Sequence, residues 1–248
     1  MTVAAAQAGS PRGPATSRRA GAALLASLSL LIPTQARAQV GALVSIYSDD
    51  RFRGVSVSDG RPVGILDVSY DARNGLYAAL SGRVAATRAD GLQPSGFTVN
   101  GGYATRVSSR LTADVGVVHS RFSHYSGLSG RRYYTEAYAG LAGKLIGARI
   151  AISPDYLGTA RWTAYGEVDA HVDLSRHTLV DFQVGVLTPI GGKYGSDNRP
   201  QLDARVGLAQ RLGPVTLHTA LSTRSKTYFY RSGSGRSTAL IIGLSTAL

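Results

Sequence analysis

Between Arg161 and Leu174 the chain alternates strictly. Thr163, Tyr165, Glu167, Asp169, His171 and Asp173 fall on one face of an extended backbone, and Trp162, Ala164, Gly166, Val168, Ala170, Val172 and Leu174 on the other. Side chains of a strand point alternately to its two faces, so this segment predicts a β-strand set between an apolar medium and a polar interior. A soluble sandwich also presents one apolar face. Here, however, the alternation recurs to the C-terminus, with few long apolar runs, behind a segment that reads as an export signal. An all-β transmembrane barrel accounts for these features together, because a closed ladder leaves no backbone polar group unpaired in lipid.

Composition agrees with that reading. Thirty glycines and thirteen tyrosines against one methionine and one tryptophan suit tight turns and interfacial aromatic rings. With 17% charged and 44% hydrophobic residues, the 248-residue chain is neither disordered nor a helical membrane protein by composition, and one domain suffices. The absence of cysteine excludes a disulfide framework and thiolate metal sites; a closed barrel needs no such staples.

Residues 1–38 read as a secretory signal. Arg12, Arg18 and Arg19 form the positive region, and Ala20 to Ile32 an apolar core too short to span a bilayer. Ala36-Arg37-Ala38 supplies a small-x-small cleavage site. Ser17-Arg18-Arg19 lacks the large apolar residues that follow a twin-arginine signal, which favours ordinary export over that route. An uncleaved anchor is the alternative, which the cleavage site disfavours. The barrel domain is then 39–248, with a formal net charge of +8 once the four basic residues of the signal are removed.

Twelve strands are predicted, near Val40 to Tyr47, Val63 to Tyr70, Leu76 to Ala85, Phe97 to Val107, Leu111 to Ser120, Tyr133 to Lys144, Ala148 to Ser153, Trp162 to Leu174, Thr178 to Leu187, Gln201 to Gln210, Val215 to Thr223 and Ser237 to Leu248. The connections alternate in length. Short ones fall at 72–75, 108–110, 145–147, 175–177 and 211–214, and long ones at 48–62, 86–96, 121–132, 154–161, 188–200 and 224–236. Short periplasmic turns opposite long extracellular loops are the asymmetry of outer-membrane barrels, and an even strand count places both termini with the short turns. In the last strand Leu240, Ile242, Leu244, Thr246 and Leu248 alternate with small or polar neighbours, similar to the C-terminal signature read by the barrel-insertion machinery. That signature usually ends in Phe, where this chain has Leu248.

Ser45-Ile46-Tyr47-Ser48-Asp49-Asp50-Arg51-Phe52-Arg53-Gly54-Val55-Ser56, then Ser58-Asp59 and Pro62, then Asp67, Tyr70 and Gly75-Leu76-Tyr77, resemble the opening of the TorF family of bacterial porin-type outer-membrane barrels. Within it Tyr47, Asp49, Arg51, Phe52, Arg53, Gly54, Ser56, Asp59 and Pro62 carry the motif. Tyr133 to Leu141 resembles the family's mid-barrel hairpin more weakly. The family pattern has an aromatic residue where Asp50 stands and a small one where Val63 stands. The resemblance implies an outer-membrane location and a channel, and names no substrate.

The face opposite the apolar one gives a candidate pore lining: Asp67, Arg83, Asn100, Arg106, Asp114, Glu136, Lys144, Glu167, Asp169, His171, Asp173, Asp181, Gln183, Asp203, Arg205 and His218. Charges of both signs there can sort ions in a water-filled channel or pair into a plug, and strand number alone does not decide between them. The acidic group Glu167, Asp169, Asp173 and Asp181 has the oxygen chemistry for a divalent cation but no dedicated loop spacing, so pairing with inward Arg and Lys is favoured and no metal is expected. Arg51 and Arg53 sit in the motif beside Asp49, Asp50 and Asp59, which could pair with them and pin the first loop. Arg121, Arg131, Arg132, Lys226, Arg231 and Arg236 are loop cations facing lipopolysaccharide or solvent.

An enzyme reading rests on His124-Tyr125-Ser126, similar to the His-x-Ser of outer-membrane lipid hydrolases, with Glu136 or Asp114 to orient the imidazole. It is disfavoured because the motif falls in a predicted loop rather than on a rigid strand. A barrel protease fares no better, since His171 and His218 lie on separate strands without a carboxylate pair. Gly191-Gly192 and Gly233-Ser234-Gly235 read as loop tips rather than nucleotide cradles, and no cofactor motif is present. The expectation is a twelve-stranded barrel passing small polar or charged solutes, not an enzyme, in contact with outer-membrane lipid and lipopolysaccharide and not with nucleic acid. A closed structural or surface-interaction barrel is the alternative.

Overall fold

The structure, a computed structural model, describes residues 39–87, 91–125, 128–191, 199–225 and 237–248. The predicted export signal, Ser126, Lys226, Arg231, Arg236 and the glycines at 192, 233 and 235 lie outside the described residues, as do the side chains of His124 and Arg131.

The strands are β1 (Gln39–Tyr47), β2 (Arg51–Phe52), β3 (Val55–Ser56), β4 (Val63–Asp71), β5 (Leu76–Thr87), β6 (Gly91–Ser108), β7 (Leu111–Tyr125), β8 (Leu128–Ala142), β9 (Ile146–Ser153), β10 (Trp162–Asp173), β11 (Thr178–Gly191), β12 (Gln201–Leu212), β13 (Val215–Arg224) and β14 (Thr238–Ala247). All except β2 and β3 form one closed antiparallel barrel in which each strand pairs with its sequence neighbours, and β1 closes the ring by pairing with β4 on one side and β14 on the other. Closure satisfies every edge, which is the condition for a sheet to cross lipid.

The barrel wears its apolar side chains outside. Ile46, Leu66, Leu80, Val99, Val117, Leu141, Ile150, Val168, Val184, Val206, Leu221 and Ile242 supply one exposed large apolar residue from each barrel strand. A continuous belt of this kind is untenable in water and is matched to hydrocarbon. The inner face carries the buried polar residues. In the pairs Tyr47 with Gly243, Tyr77 with Gly102 and Tyr138 with Gly116, the tyrosine lies over an inward glycine directly across the ladder, leaving no room there for a Cβ. The glycines thus let large rings lie flat against the inner wall.

Two expectations are corrected. The predicted long loops 86–96 and 121–132 are mostly strand, since β5 runs to Thr87, β6 begins at Gly91, β7 runs to Tyr125 and β8 begins at Leu128. Beyond the lipid belt a hairpin still pairs its backbone but needs no apolar face, so alternation fades while the ladder continues. The turn placed at 145–147 lies at 143–145, because β8 ends at Ala142 and β9 starts at Ile146. Lys144 therefore sits exposed in that turn rather than on the barrel wall.

The connection 48–62, between β1 and β4, starts at the end opposite the short turns. β2 and β3 form a miniature hairpin within it, Arg51 opposite Ser56 and Phe52 opposite Val55. Its two-residue turn, Arg53-Gly54, has positive φ at both positions (51° and 72°), as a primed hairpin turn requires. Glycine adopts this readily; for Arg53 it is a strained conformation that the surroundings must hold.

Candidate functional site: the lumen constriction

The hairpin β2–β3 is folded into the barrel. Asp50, Val55 and Val57 have relative exposures of 1%, 1% and 2%, values of a core rather than of a surface loop. Val55 and Val57 join Phe122, Tyr134, Tyr156, Leu157, Tyr165 and Leu187 in one apolar cluster, with Phe52 packed against it. Phe52 stacks on Tyr134 at 5.1 Å between ring centroids, inclined by 15°. Tyr156 and Leu157 come from a single 3-10 turn, Tyr156–Gly158, between β9 and β10, so two connections contribute to the filling.

Inside the segment a polar scaffold holds its shape. The hydroxyls of Ser56 and Ser58 donate to Asp49 Oδ1 at 2.5 and 2.9 Å, the Asp50 amide donates to Ser58 Oγ at 3.0 Å, and the Val57 amide to the Asp50 carbonyl at 2.8 Å. Arg51 Nε lies 3.6 Å from Asp49 Oδ2, the local pairing expected from sequence. Burial pulls the Arg51 guanidinium below its ordinary pKa, with Asp49 acting in the opposite sense.

Arg53 behaves differently. Its guanidinium crosses the lumen to Glu136 on β8 and donates twice, Nη1 to Oε1 at 2.8 Å and Nη2 to Oε2 at 2.7 Å. The same group lies 3.7 Å from the centroid of Tyr165 and 4.6 Å from that of Phe52, so aromatic faces cover a planar cation whose edge is taken by a carboxylate. Burial alone would lower the Arg53 pKa, but Glu136 holds it well above the ordinary value. The backbone of Arg53 is held as well, its carbonyl accepting from Gln201 Nε2 at 3.0 Å. Next to it Gly54 lies so close to Thr223, Arg224 and Asp203 that a Cβ would collide with the far wall. The segment thus starts between β1 and β4 and ends against β8, β10, β12 and β13.

A second bond anchors the near side. Arg83 on β5 donates from Nε to Asp50 Oδ2 at 2.9 Å and from Nη1 to Thr98 Oγ1 at 3.0 Å; Thr98 and Ser120 hydroxyls then lie 2.9 Å apart. Toward the short-turn end, Arg149 Nη2 donates to Asp114 Oδ2 at 3.0 Å, Tyr77 donates to Asp114 Oδ1 at 2.5 Å and also meets the Tyr138 hydroxyl, and Arg205 pairs with Asp181. Gln183 Nε2 donates to Glu167 at 2.9 Å, and the Tyr165 hydroxyl to Asp203 Oδ1 at 3.1 Å. The space left between the hairpin and the wall measures about 70 Å³, room for a few waters.

Of the residues selected from sequence, Asp67, Arg83, Asn100, Asp114, Glu136, Glu167, Asp169, His171, Asp181, Gln183, Asp203, Arg205 and His218 lie on the inward, wholly or partly buried face. Arg106 and Asp173 are exposed near the short turns. His218 meets the Ser245 hydroxyl at 2.8 Å. Among the described residues no group of three or more His, Cys, Asp or Glu side chains is arranged to hold a metal ion. The backbone at His124 belongs to β7, opposite Ser129, not to a loop. Sequence reasoning left Arg149 and Tyr165 out of the lining, although both share the polar face of their strands, and Tyr77, Tyr134 and Tyr138, because an aromatic ring in a period-two pattern reads equally as a lipid-facing residue.

No curated protein matches this chain. Among solved structures, the NanC porin in a rhombohedral crystal form aligns over 84% of this chain and 100% of its own, with a TM-score of 0.55 at 15% identity. The KdgM porin in complex with disordered oligogalacturonate aligns over 85% and 99%, with a TM-score of 0.48 at 11% identity. A chain solved in work on the in-meso crystallization of membrane proteins aligns over 85% and 83%, with a TM-score of 0.50 at 9% identity. The likeness to NanC is one of fold. Residues 34–231 match a family of bacterial proteins of unknown function, Gcw_chp.

Proposed function

Starting from a chain that belongs to the Gcw_chp family, we propose that it is an outer-membrane porin through which small polar or charged solutes diffuse. One observation carries the reading: a closed barrel with an apolar exterior encloses a charged interior, narrowed at one level by an inward hairpin and not packed dry. A barrel whose only task is structural gains nothing from a ring of buried carboxylates and guanidinium groups, each costly to desolvate. A conducting lumen needs such groups to replace the water that a passing solute sheds.

The fold shared with NanC and the first hairpin's resemblance to the TorF family support this assignment, and with it outer-membrane localisation behind a cleaved signal at 1–38. The inward residues from Asp67 on β4 to His218 on β13 would line the path, and Arg51, Arg53 and Glu136 would set its narrowest level. On this reading the barrel contacts lipid and lipopolysaccharide, is inserted by the barrel-assembly machinery through its last strand, and performs no chemistry on what it passes.

The test is planar-bilayer conductance of the refolded 39–248 chain, after a heat-modifiable gel shift shows that the barrel has closed. Discrete steps are expected. A properly closed barrel that never conducts would overturn the channel reading in favour of a structural barrel.

A further inference from the structure

On the outer surface of β6, β7 and β8, at the end away from the short turns, lies a polar group that conduction does not use. Ser120 and Phe122 on β7 are buried at 0% and 2% and face the lumen, so His119 and Arg121, their neighbours in a period-two strand, face outward. Phe97 on β6 and Tyr133 on β8 stand directly across the ladder from Arg121, one on each side, and both are exposed. One step nearer the short turns, His119 stands between Val99 and Thr135. Its Nδ1 meets Thr135 Oγ1 at 2.9 Å, and its ring lies 6.1 Å from that of Phe97.

The level of this group is set by its neighbours. Val115 and Val117, next along the same face of β7, are exposed apolar residues of the lipid belt. Phe97 and Tyr133 are the aromatic girdle where that belt gives way to the tall hairpin arms, as Tyr70 and Tyr103 are at the short-turn end. A charge on the lipid face is tolerated at this boundary far better than at mid-bilayer. No carboxylate of the three strands balances it. Strand β6 has no acidic residue, while Asp114 of β7 and Glu136 of β8 face inward, buried and bonded to Arg149 and Arg53. A half-buried guanidinium between aromatic rings, with hydrocarbon below and water above, is matched by a phosphate carried on a lipid.

We propose that Arg121 and His119 form a seat for a phosphate of lipid A, the phosphorylated glycolipid of the outer leaflet. Arg121 donates to the phosphate oxygens through its planar fork. With His119 Nδ1 accepting from the Thr135 hydroxyl, Nε2–H is left to donate to a further oxygen. The acyl chains lie along Val99, Val115 and Val117, and Phe97 and Tyr133 wall the headgroup on either side.

The inference rests on the outer-membrane reading, with the short turns in the periplasm, and not on conduction. Recovery of the exported, heat-modifiable barrel in the outer-membrane fraction checks that reading separately, and its failure would remove both. Native mass spectrometry of the recovered barrel in detergent then reads the seat. The probes are bis-phosphorylated lipid A, the same lipid stripped of its phosphates, and phosphatidylglycerol. The wild type is expected to retain lipid A in preference to the other two. Arg121→Gln should weaken lipid A binding about tenfold, the loss of one charged hydrogen-bonding partner. Arg110→Gln, exposed in a turn at the opposite end, should leave it unchanged. Equal binding of lipid A by Arg121→Gln and wild type, or with and without the phosphates, would overturn the seat and leave the barrel in the outer membrane. Equal binding of phosphatidylglycerol would show a site for any anionic headgroup and overturn the assignment to lipid A. The wild-type comparison of the three probes decides the phosphate dependence even where a variant fails to close.

Discussion

Arg53 shows how a single side chain can be held by groups far from it in sequence. It is a non-glycine residue at φ 51°, in a turn whose tip is pressed against the opposite wall, with its charge buried against Glu136. Removing one partner of a buried ion pair leaves the other uncompensated, at a typical cost of about 3–5 kcal/mol. Glu136→Ala is therefore expected to lower the stability of the folded barrel by about that amount, read as a lower urea midpoint for the heat-modifiable form. Replacing both partners, Glu136→Leu with Arg53→Met, should recover most of the loss, because neither charge then remains buried alone. A double variant as unstable as the single one would show that the pair's value lies in its geometry rather than in charge compensation.

At the scale of the element, the 48–62 segment is a loop by position and a core by packing. Its valines and Phe52 bury against rings from β7, β8 and β10, while its aspartates and arginines meet the polar wall. Shortening it, by replacing residues 49–61 with two glycines, should leave the barrel closed, since β1 and β4 pair along their whole length without it. The single-channel conductance is expected to rise several-fold, because the segment occupies the middle of the lumen. An unchanged step size in a barrel that still shows the gel shift would mean that the hairpin does not limit the path.

For the whole molecule, the decisive asymmetry is between the two faces of one strand. Val184 on β11 is 55% exposed and faces lipid, whereas its neighbour Gln183 points inward and bonds to Glu167. Val184→Arg is expected to destabilise the membrane-folded state by about 2–4 kcal/mol, the cost of a charge at mid-bilayer on the lipid face. Gln183→Arg, one residue away, should be far milder, since it meets a carboxylate in an aqueous lumen. Equal effects of the two, measured by reversible folding into lipid vesicles, would contradict the placement of the membrane belt.

Alternation of period two is local, and it sufficed to read β10, the twelve-stranded closed wall, the short turns other than the one at 143–145, and the polar and apolar faces of most strands from the chain alone. The same pattern faded where β5 to β8 rise past the lipid, because a solvated hairpin needs paired backbone but no apolar stripe; the arms 86–96 and 121–132 were therefore read as loops. The motif around Arg51 and Arg53 was visible as unusual, and pairing with Asp49 was within reach because those partners are near in sequence. That Arg53 would instead bond Glu136, 83 residues on, was not. Which residues meet across a lumen depends on strand number, on closure, and on whether a connection turns inward or outward, and these are properties of the assembled ring. Local period determined the wall, and only the closed barrel decided what fills it, since contacts across the lumen have no counterpart in the spacing of residues along the chain.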